Sequence, residues 1–450
     1  MLDFTNNVGD ATPTPETLIR RRSEVVAGIA TKALLDDNHP MCGVIDLDTI
    51  DDLMFALTSA YRGGHSVLHT VAAKAITLRP VLAHFASNGF GCEVASPGEL
   101  ALALAAGFAP ESIVLDSPAK TDTDIKRALE LGISFNIDSF EELARVDAAI
   151  SHAGPPRSPI GIRINPQTGA GAIGATSTAT RTSKFGIGLA DNREQIIEAF
   201  ATRPWLTQLH VHSGSQGLSL DHAAAGVRLI VELAHSITAR NGFQQVTRID
   251  VGGGLPVNFD SDLVTPTFAD HRAALFAVAP ELFDGTFELV TEFGRALTAK
   301  AGTLVTRVEY TKIAGGRHIA VTHAGVQVAT RTVFAPGEWP LRISVYDSKG
   351  QQRSENICLQ DIAGPACFTG DMLAVNRGLP LIRPGDLIAI PETGGYYFSS
   401  HYTYNALPRP AVYTIRSESG FRNWATARRA QSVTEIVSES GESTLVPLSV

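Results

Sequence analysis

Residues with chemically useful side chains recur where short apolar runs end in the first two-thirds of the sequence. The run "SVLHTVAAK" places Lys74 directly after a β-favouring segment, and "CEVA" places Glu93 inside the next one. A single lysine in this position commonly extends to solvent, so Lys74 alone predicts nothing. A lysine amine held among other polar groups can instead bind an aldehyde covalently. The role of Lys74 therefore depends on the elements that position its neighbours.

Short β-rich runs alternate with helical stretches between residue 65 and about residue 295. The eight runs are "SVLHTVA", "CEVA", "SIVLD", "ISFNID", "IGIRI", "TQLHVH", "RIDVG" and "FELVTE". Strand and crossover repeated eight times predict a closed (β/α)8 TIM-like barrel rather than an open sheet, which commonly has five or six strands. After Arg295, β-rich runs between Gly/Pro turns predict a C-terminal all-β domain. The N-terminal run at 39–50 predicts a strand that joins it.

The predicted domain boundaries follow from this change of pattern. We expect residues 1–55 to contribute to the β-domain, residues 56–300 to form the barrel and residues 301–450 to form the β-domain itself. Within the first segment, residues 1–15 are polar, and we expect them to be frayed.

Composition excludes several classes of protein. The 450 residues carry a net charge of −9 without any Lys/Arg cluster, which argues against a nucleic-acid partner. No basic start followed by an apolar run is present, and no apolar stretch reaches the length of a membrane span. These features predict a cytoplasmic protein with no membrane partner. The four cysteines include no CxxC pair, which disfavours a disulfide framework or a structural zinc site.

In (β/α)8 barrels the chemistry lies at the carboxyl ends of the strands. The polar groups of this sequence follow that rule, because six of the eight strands have such residues in them or directly after them. They are Lys74, Glu93, Arg163, His212, Ser215, the run Gly252–Gly254, Glu292 and Arg295.

Two motifs allow more than one interpretation. In "HVHSGSQG", His210 and His212 have the spacing of a metal-binding pair, but later strand ends supply glycine and glutamate rather than further His and Asp ligands. An imidazole could instead stack on a flat ring. The glycines of "DVGGGLP" could relieve a tight turn, or could form a phosphate site with "SGSQG" and Arg295. Pyridoxal 5'-phosphate is a flat ring with a phosphate group, an aldehyde that an amine can bind and a ring nitrogen that pairs with a carboxylate, so it matches these residues.

With these residues the sequence resembles the barrel-type pyridoxal-phosphate decarboxylases, the family of ornithine and diaminopimelate decarboxylases. The resemblance spans about residues 40–410 and rests on "AAKA", "EVASPGEL", "HVHSGSQ", "DVGGGLP", "EFGRAL", "GPACFTGD" and "ETGGYYFSSHYTYN". It implies that Lys74 binds the cofactor covalently, that His212 stacks on its ring and that Glu292 pairs with the ring nitrogen. It also implies Glu93 near the ring, with Arg163 supporting Glu292. The implied phosphate ligands are Ser215, Gly253, Gly254, Gly294, Arg295 and Tyr396.

The resemblance further implies a homodimer with shared active sites, because family members take the cysteine of "GPxC" from the partner subunit. Cys367 matches that cysteine and is the expected proton donor to the substrate carbon after CO2 leaves. The other interpretation is a buried apolar cysteine.

One departure from the family pattern leads to a prediction about the substrate. Phe368 stands where basic amino acid decarboxylases have an acidic residue for the distal ammonium, although a one-residue shift of the loop would give that contact to Asp371. Arg331 loosely matches an arginine for a distal carboxylate. We therefore expect a small-molecule substrate that is an amino acid other than free ornithine, lysine or diaminopimelate, such as a larger or acylated diamino acid. The alternatives are a racemase and a non-catalytic regulator, although the sequence keeps Cys367 and the cofactor residues; a metal hydrolase is disfavoured.

Overall fold

The structure is a computed structural model that describes residues 12–444, so residues 1–11 of the segment expected to be frayed lie outside the described residues. The strands are β1 Met41–Asp46, β2 Val67–Ala72, β3 Gly91–Val94, β4 Ile113–Leu115, β5 Ser134–Ile137, β6 Ile160–Asn165, β7 Ile187–Gly188, β8 Leu206–His210, β9 Arg248–Asp250, β10 Glu288–Phe293, β11 Gly302–Ala314, β12 Arg317–Thr322, β13 Ser344–Tyr346, β14 Ile357–Ala363, β15 Met372–Pro380, β16 Leu387–Pro391, β17 Ala411–Glu418 and β18 Phe421–Arg428. The α-helices are α1 Pro15–Thr31, α2 Leu47–Ala60, α3 Arg79–Ser87, α4 Pro97–Ala106, α5 Asp122–Leu131, α6 Phe140–Ala153, α7 Leu189–Thr202, α8 Leu220–Asn241, α9 Phe268–Val278, α10 Arg295–Thr298, α11 Thr330–Phe334 and α12 Val433–Glu439.

The described chain divides into two compact units. The first consists chiefly of Ile50–Asn258 and Leu263–Thr298, and the second of Thr14–Thr49, Phe259–Asp262 and residues 299–444.

The first unit is a closed parallel barrel, as the sequence predicts. Its strand order is β5-β4-β3-β2-β10-β9-β8-β6, and pairing of β5 with β6 closes the ring. The short strand β7 pairs with β6 outside the ring. Strands β3, β4, β5 and β6 are buried along their whole length, because side chains on one face fill the barrel and those on the other pack under the helices.

Local signals in the sequence delimit the helices between the strands. Helix α5 begins with a capping box in which Thr121 and Asp124 exchange side-chain and backbone hydrogen bonds, and it ends at Gly132, whose φ is +74°. Helix α4 follows the N-cap Ser96 and ends at Gly107 with φ +93°. These short, well-capped crossovers return the chain to the same edge of the barrel, so that all eight strand carboxyl ends meet there.

The second unit is built on a curled mixed sheet of nine strands with the central order β15-β14-β12-β11-β1-β17-β18. The N-terminal strand β1 pairs antiparallel with β11 and parallel with β17, which confirms that the 39–50 region joins the β-domain. Helix α1 covers the sheet through Val26 and Ile29, which pack in a buried cluster with Val44 and Tyr346. No helix within residues 12–444 combines the length and the apolar character that crossing a membrane requires.

Candidate active site

Lys74 lies immediately beyond β2, in a single turn of 3-10 helix at Ala73–Ala75. Its Nζ donates a hydrogen bond of 2.7 Å to Oε1 of Glu93, which β3 places beside it. The Lys74 side chain is 44% exposed, whereas that of Glu93 is fully buried. The amine is thus accessible from the carboxyl end of the barrel while its partner carboxylate stays inside.

The environment of Glu93 changes its proton affinity. Burial raises the pKa of its carboxyl to about 7, against the opposing effect of the Lys74 ammonium, and the negative Glu292 adds to the increase. Oε2 of Glu93 has no hydrogen-bond partner within the described chain. Glu93 is therefore a carboxyl group that can change its protonation state near neutral pH.

Glu292 is buried on β10, one strand over from Lys74. Its Oε2 is 3.6 Å from Nε2 of His210, while Oε1 is buried and has no hydrogen-bond partner among residues 12–444. A buried carboxylate oxygen without a donor is costly, because its hydration is lost without replacement. This oxygen is suited to a protonated ring nitrogen.

His212 follows β8 and is held by the loop after β9. Its Nδ1 accepts the N–H of Gly253 at 3.1 Å, and burial together with the positive Arg163 and Lys74 keeps its pKa well below the usual range. The imidazole is therefore neutral near pH 7, with its orientation fixed by one hydrogen bond. A neutral, fixed ring of this kind is suited to stacking on a flat aromatic group.

The glycine loop after β9 is close-packed. Gly252 and Gly254 have φ of +67° and +102°, and an added Cβ at Gly253 or Gly254 would overlap a backbone carbonyl group. Two of the loop N–H groups are used within the protein, because that of Gly252 donates to Asp250 and that of Gly253 to His212. The loop is thus held by contacts within the protein, and its role as a phosphate site stays a prediction.

The remaining predicted phosphate ligands of this unit lie on adjacent loops. Ser215 is anchored after β8 by its N–H, which donates to the carbonyl of Thr176 at 3.1 Å. Gly294 and Arg295 directly follow β10, and the Arg295 side chain is buried at the start of α10.

Arg163 on β6 pairs with two acids that the sequence arguments overlooked. Its Nη1 is 3.3 Å from Oδ2 of Asp116, and its Nε is 3.9 Å from Oδ1 of Asp138. Asp116 and His210 lie between Arg163 and Glu292, and the support of Glu292 by Arg163 stays a prediction. Asp116 stands directly after the third barrel strand, so the rule that strand ends carry the chemistry could have identified it.

The second unit holds the other predicted residues. Cys367 is exposed, and its N–H donates to Oδ1 of Asn405 at 2.7 Å. Its neighbour Phe368 stacks on Phe334, with centroids 6.1 Å apart, and meets Tyr404 edge-on. The cysteine thus borders an aromatic cluster.

Asp371 is buried, and both of its carboxylate oxygens accept backbone N–H groups, from Val326 at 2.6 Å and Ala366 at 2.7 Å. Its assignment to the substrate stays a prediction, as do the roles of the other site residues. The guanidinium of Arg331 lies 4.3 Å from the ring centroid of Tyr396. Within the described residues, Nη1 of Arg331 is buried without a hydrogen-bond partner.

The barrel and this arrangement of amine, buried carboxylate, imidazole and glycine loop define the class of barrel-type pyridoxal-phosphate enzymes. Residues 48–299 match the family model "Pyridoxal-dependent decarboxylase, pyridoxal binding domain". The diaminopimelate decarboxylase of Pseudomonas fluorescens is 34% identical over 378 residues, covering 83% of this chain and 86% of the relative. That of Vibrio cholerae is 33% identical over 352 residues, covering 78% of this chain and 81% of the relative. The crystal structure of diaminopimelate decarboxylase from Helicobacter pylori complexed with L-lysine superposes with a TM-score of 0.78 at 26% identity, covering 89% of this chain and 97% of that one.

The chain belongs to the pyridoxal-dependent decarboxylases and is an amino acid decarboxylase that uses pyridoxal phosphate. The orphan oxygen of Glu292, the accessible Lys74 amine and the glycine loop fit that cofactor. When bound, it withdraws electrons from the substrate carbon that loses CO2. The family, cofactor and decarboxylase predictions are thereby confirmed.

The prediction about the substrate is wrong. It excluded diaminopimelate and kept a racemase and a regulator as alternatives, but relatives 32–34% identical over most of the chain are named diaminopimelate decarboxylase. The error came from inferring the substrate from the residue type of Phe368 alone. The structure shows that this ring packs on Phe334 and Tyr404, so its residue type does not by itself determine which ligand groups the site accepts.

Proposed function

We propose that the protein removes one carboxyl group from diaminopimelate. The observation that carries the proposal is the accessible Lys74 amine, held 2.7 Å from buried Glu93 and one strand from Glu292. The names of the relatives at 32–34% identity support diaminopimelate as the substrate.

Each barrel residue has a distinct task in this proposal. Lys74 binds the cofactor covalently, and Glu292 uses Oε1 to keep the ring nitrogen protonated, since a nearby carboxylate favours the cationic form. His212 stacks on the ring as a neutral imidazole. Glu93 accepts or returns a proton beside Lys74, consistent with its pKa of about 7. The phosphate ligands are those implied by the resemblance, Ser215, Gly253, Gly254, Gly294, Arg295 and Tyr396.

Arg331 is the proposed contact for a carboxylate at the far end of the substrate. Its guanidinium lies against the rings of Tyr396 and Trp339, at 4.3 Å and 5.1 Å from their centroids. This packing restricts the side chain, and Nη1 is buried without a hydrogen-bond partner among residues 12–444. A restricted guanidinium recognises a carboxylate at a smaller entropic cost than a mobile lysine does. Phe368 borders the same end of the substrate in this proposal.

We also propose a two-fold homodimer in which Cys367 completes the site of the partner subunit and donates the proton that replaces CO2. The exposure of Cys367 supports this role, because an acid that acts in another subunit has to be on the surface. Asn405 holds the backbone at Cys367, which limits the positions that the thiol can take.

The test is CO2 release by the protein loaded with pyridoxal phosphate. Diaminopimelate should yield CO2 and lysine in equal amounts, and Lys74→Ala should abolish both products. Lys126→Ala, an exposed lysine on α5, is the matched control and should keep full turnover. Diaminopimelate turnover no faster than that of Lys74→Ala would refute the proposal, and ornithine and lysine tested in parallel would show whether another amino acid is preferred.

A further inference from the structure

Three buried ionisable side chains form a line inside the barrel. Asp116 follows β4, His210 ends β8 and Glu292 lies on β10. Oδ2 of Asp116 is 3.2 Å from Nδ1 of His210, and Nε2 of His210 is 3.6 Å from Oε2 of Glu292. His210 is completely buried. The two nitrogens of a single imidazole are thus each close to one carboxylate.

Other charged groups also face His210. Asp250 on β9 and Arg163 on β6 are its neighbours in strand register, and Arg163 also pairs with Asp116. Although burial favours the neutral imidazole, the carboxylates around it, Asp116 first among them, raise the pKa of His210 to about 9. Burial opposes the ionisation of Asp116 too, yet the positive His210 and Arg163 lower its pKa to about 2. Near pH 7 the imidazolium of His210 therefore lies between the carboxylate of Asp116 and the side chain of Glu292.

The positive charge of His210 offsets part of the negative charge of the acids buried around it. Glu292, Asp116, Asp250 and Glu93 are four acids buried at one end of the barrel, and like charges in a buried cluster favour protonation of some of them. Asp250 takes that course, since burial and the negative Glu292 raise its pKa well above its usual value. A protonated Glu292 could not stabilise a ring cation.

We propose that Asp116 and His210 are positioning residues that hold Glu292 as an anion, leaving Oε1 for the ring nitrogen of the bound cofactor. The proposal rests on the placement of Glu292 under "Proposed function". Oε2 of Glu292 faces His210 at 3.6 Å, which is an ion-pair distance and too long for a hydrogen bond, whereas Oε1 is buried without a hydrogen-bond partner among residues 12–444.

The test compares the affinity of the protein for pyridoxal phosphate with its affinity for an analogue in which carbon replaces the ring nitrogen. Asp116→Asn, His210→Gln and Glu292→Gln should each weaken binding of pyridoxal phosphate by roughly tenfold or more, the size of loss seen when residues that support a metal ligand are replaced. Each should change binding of the analogue by less than about twofold. Asp138→Asn, a nearby buried acid that contacts Arg163, is the matched control and should leave the ratio of the two affinities unchanged.

The outcomes distinguish a failure of the role proposed for Asp116 and His210 from a failure of the placement of Glu292 at the ring nitrogen. Equal weakening of both ligands by Asp116→Asn and His210→Gln would indicate a purely structural role and overturn the inference. A selective effect of Glu292→Gln alone would also overturn it while leaving the placement of Glu292 intact. The absence of selectivity in Glu292→Gln would refute that placement instead.

A second measurement uses the wild-type protein and so does not depend on the folding of a variant. With histidine labelled by ¹⁵N, the wild-type holoenzyme should show a doubly protonated imidazole at pH 7, assigned by its absence from the His210→Gln spectrum or, should that variant not fold, by nuclear Overhauser contacts. A neutral His210 at pH 7 would overturn the inference.

Discussion

Replacing Glu93 with glutamine should change how the stability of the cofactor-free protein depends on pH. The substitution keeps the size of the side chain and removes its ionisation. In the folded protein, burial raises the pKa of Glu93 to about 7, opposed by Lys74, whereas the ordinary value is 4.5. The folded state therefore binds this proton more tightly than the unfolded chain does.

The size and the sign of the effect follow from this difference. The stabilising contribution of the protonated Glu93 is fully present below pH 4.5 and is lost as the pH rises through 7. At about 1.4 kcal/mol per pH unit, the difference between 4.5 and about 7 amounts to about 3 kcal/mol. Glu93→Gln does not lose this contribution, so it should become more stable relative to wild type by about 3 kcal/mol between pH 4.5 and pH 8.

Calorimetry on the cofactor-free proteins measures this directly. For a unit of this size, about 3 kcal/mol corresponds to a change of roughly 6–12 °C in the difference between the two unfolding temperatures. The exposed Glu111→Gln variant is the control and should track wild type at every pH. A constant difference between Glu93→Gln and wild type from pH 5 to pH 8 would refute the reasoning, since it would mean that Glu93 is already ionised in the folded state at pH 5.

Three further changes test the other parts of the site. Mixing inactive Lys74→Ala and Cys367→Ala chains should restore about a quarter of the sites, because one in four carries both intact residues, and no recovery after proven subunit exchange would exclude shared sites. Gly254→Ala, which needs φ of +102° and clashes with the carbonyl of Gly214, should weaken cofactor binding in equilibrium dialysis by roughly tenfold or more; unchanged affinity would count against the glycine loop as a phosphate site. Asp371→Asn should lower the free energy of unfolding by about 1–3 kcal/mol by disturbing two backbone hydrogen bonds, and unchanged stability with impaired substrate binding would favour a substrate contact.

The sequence by itself determined the barrel and which end of it holds the chemistry. Strands alternating with capped helices have few ways to close, and a closed parallel barrel brings every carboxyl end to one edge whatever the loops contain. The pairing of Lys74 with Glu93 needs only that consecutive strands be neighbours, which is the simplest outcome of this topology. The cofactor could be inferred because each of its functional groups calls for a different residue type at that edge.

Only the tertiary structure decided which charges meet inside the barrel. Asp116, His210 and Glu292 are separated by long stretches of chain, and their contacts depend on strand register and on the closure of the ring. In the sequence, the spacing of His210 and His212 indicates only a possible metal pair. The error about the substrate has the same origin, because the residue type of Phe368 does not reveal its packing on Phe334. Periodicity fixes the face on which a side chain lies, but its protonation and its partners depend on distances of a few ångströms between residues that are remote in sequence.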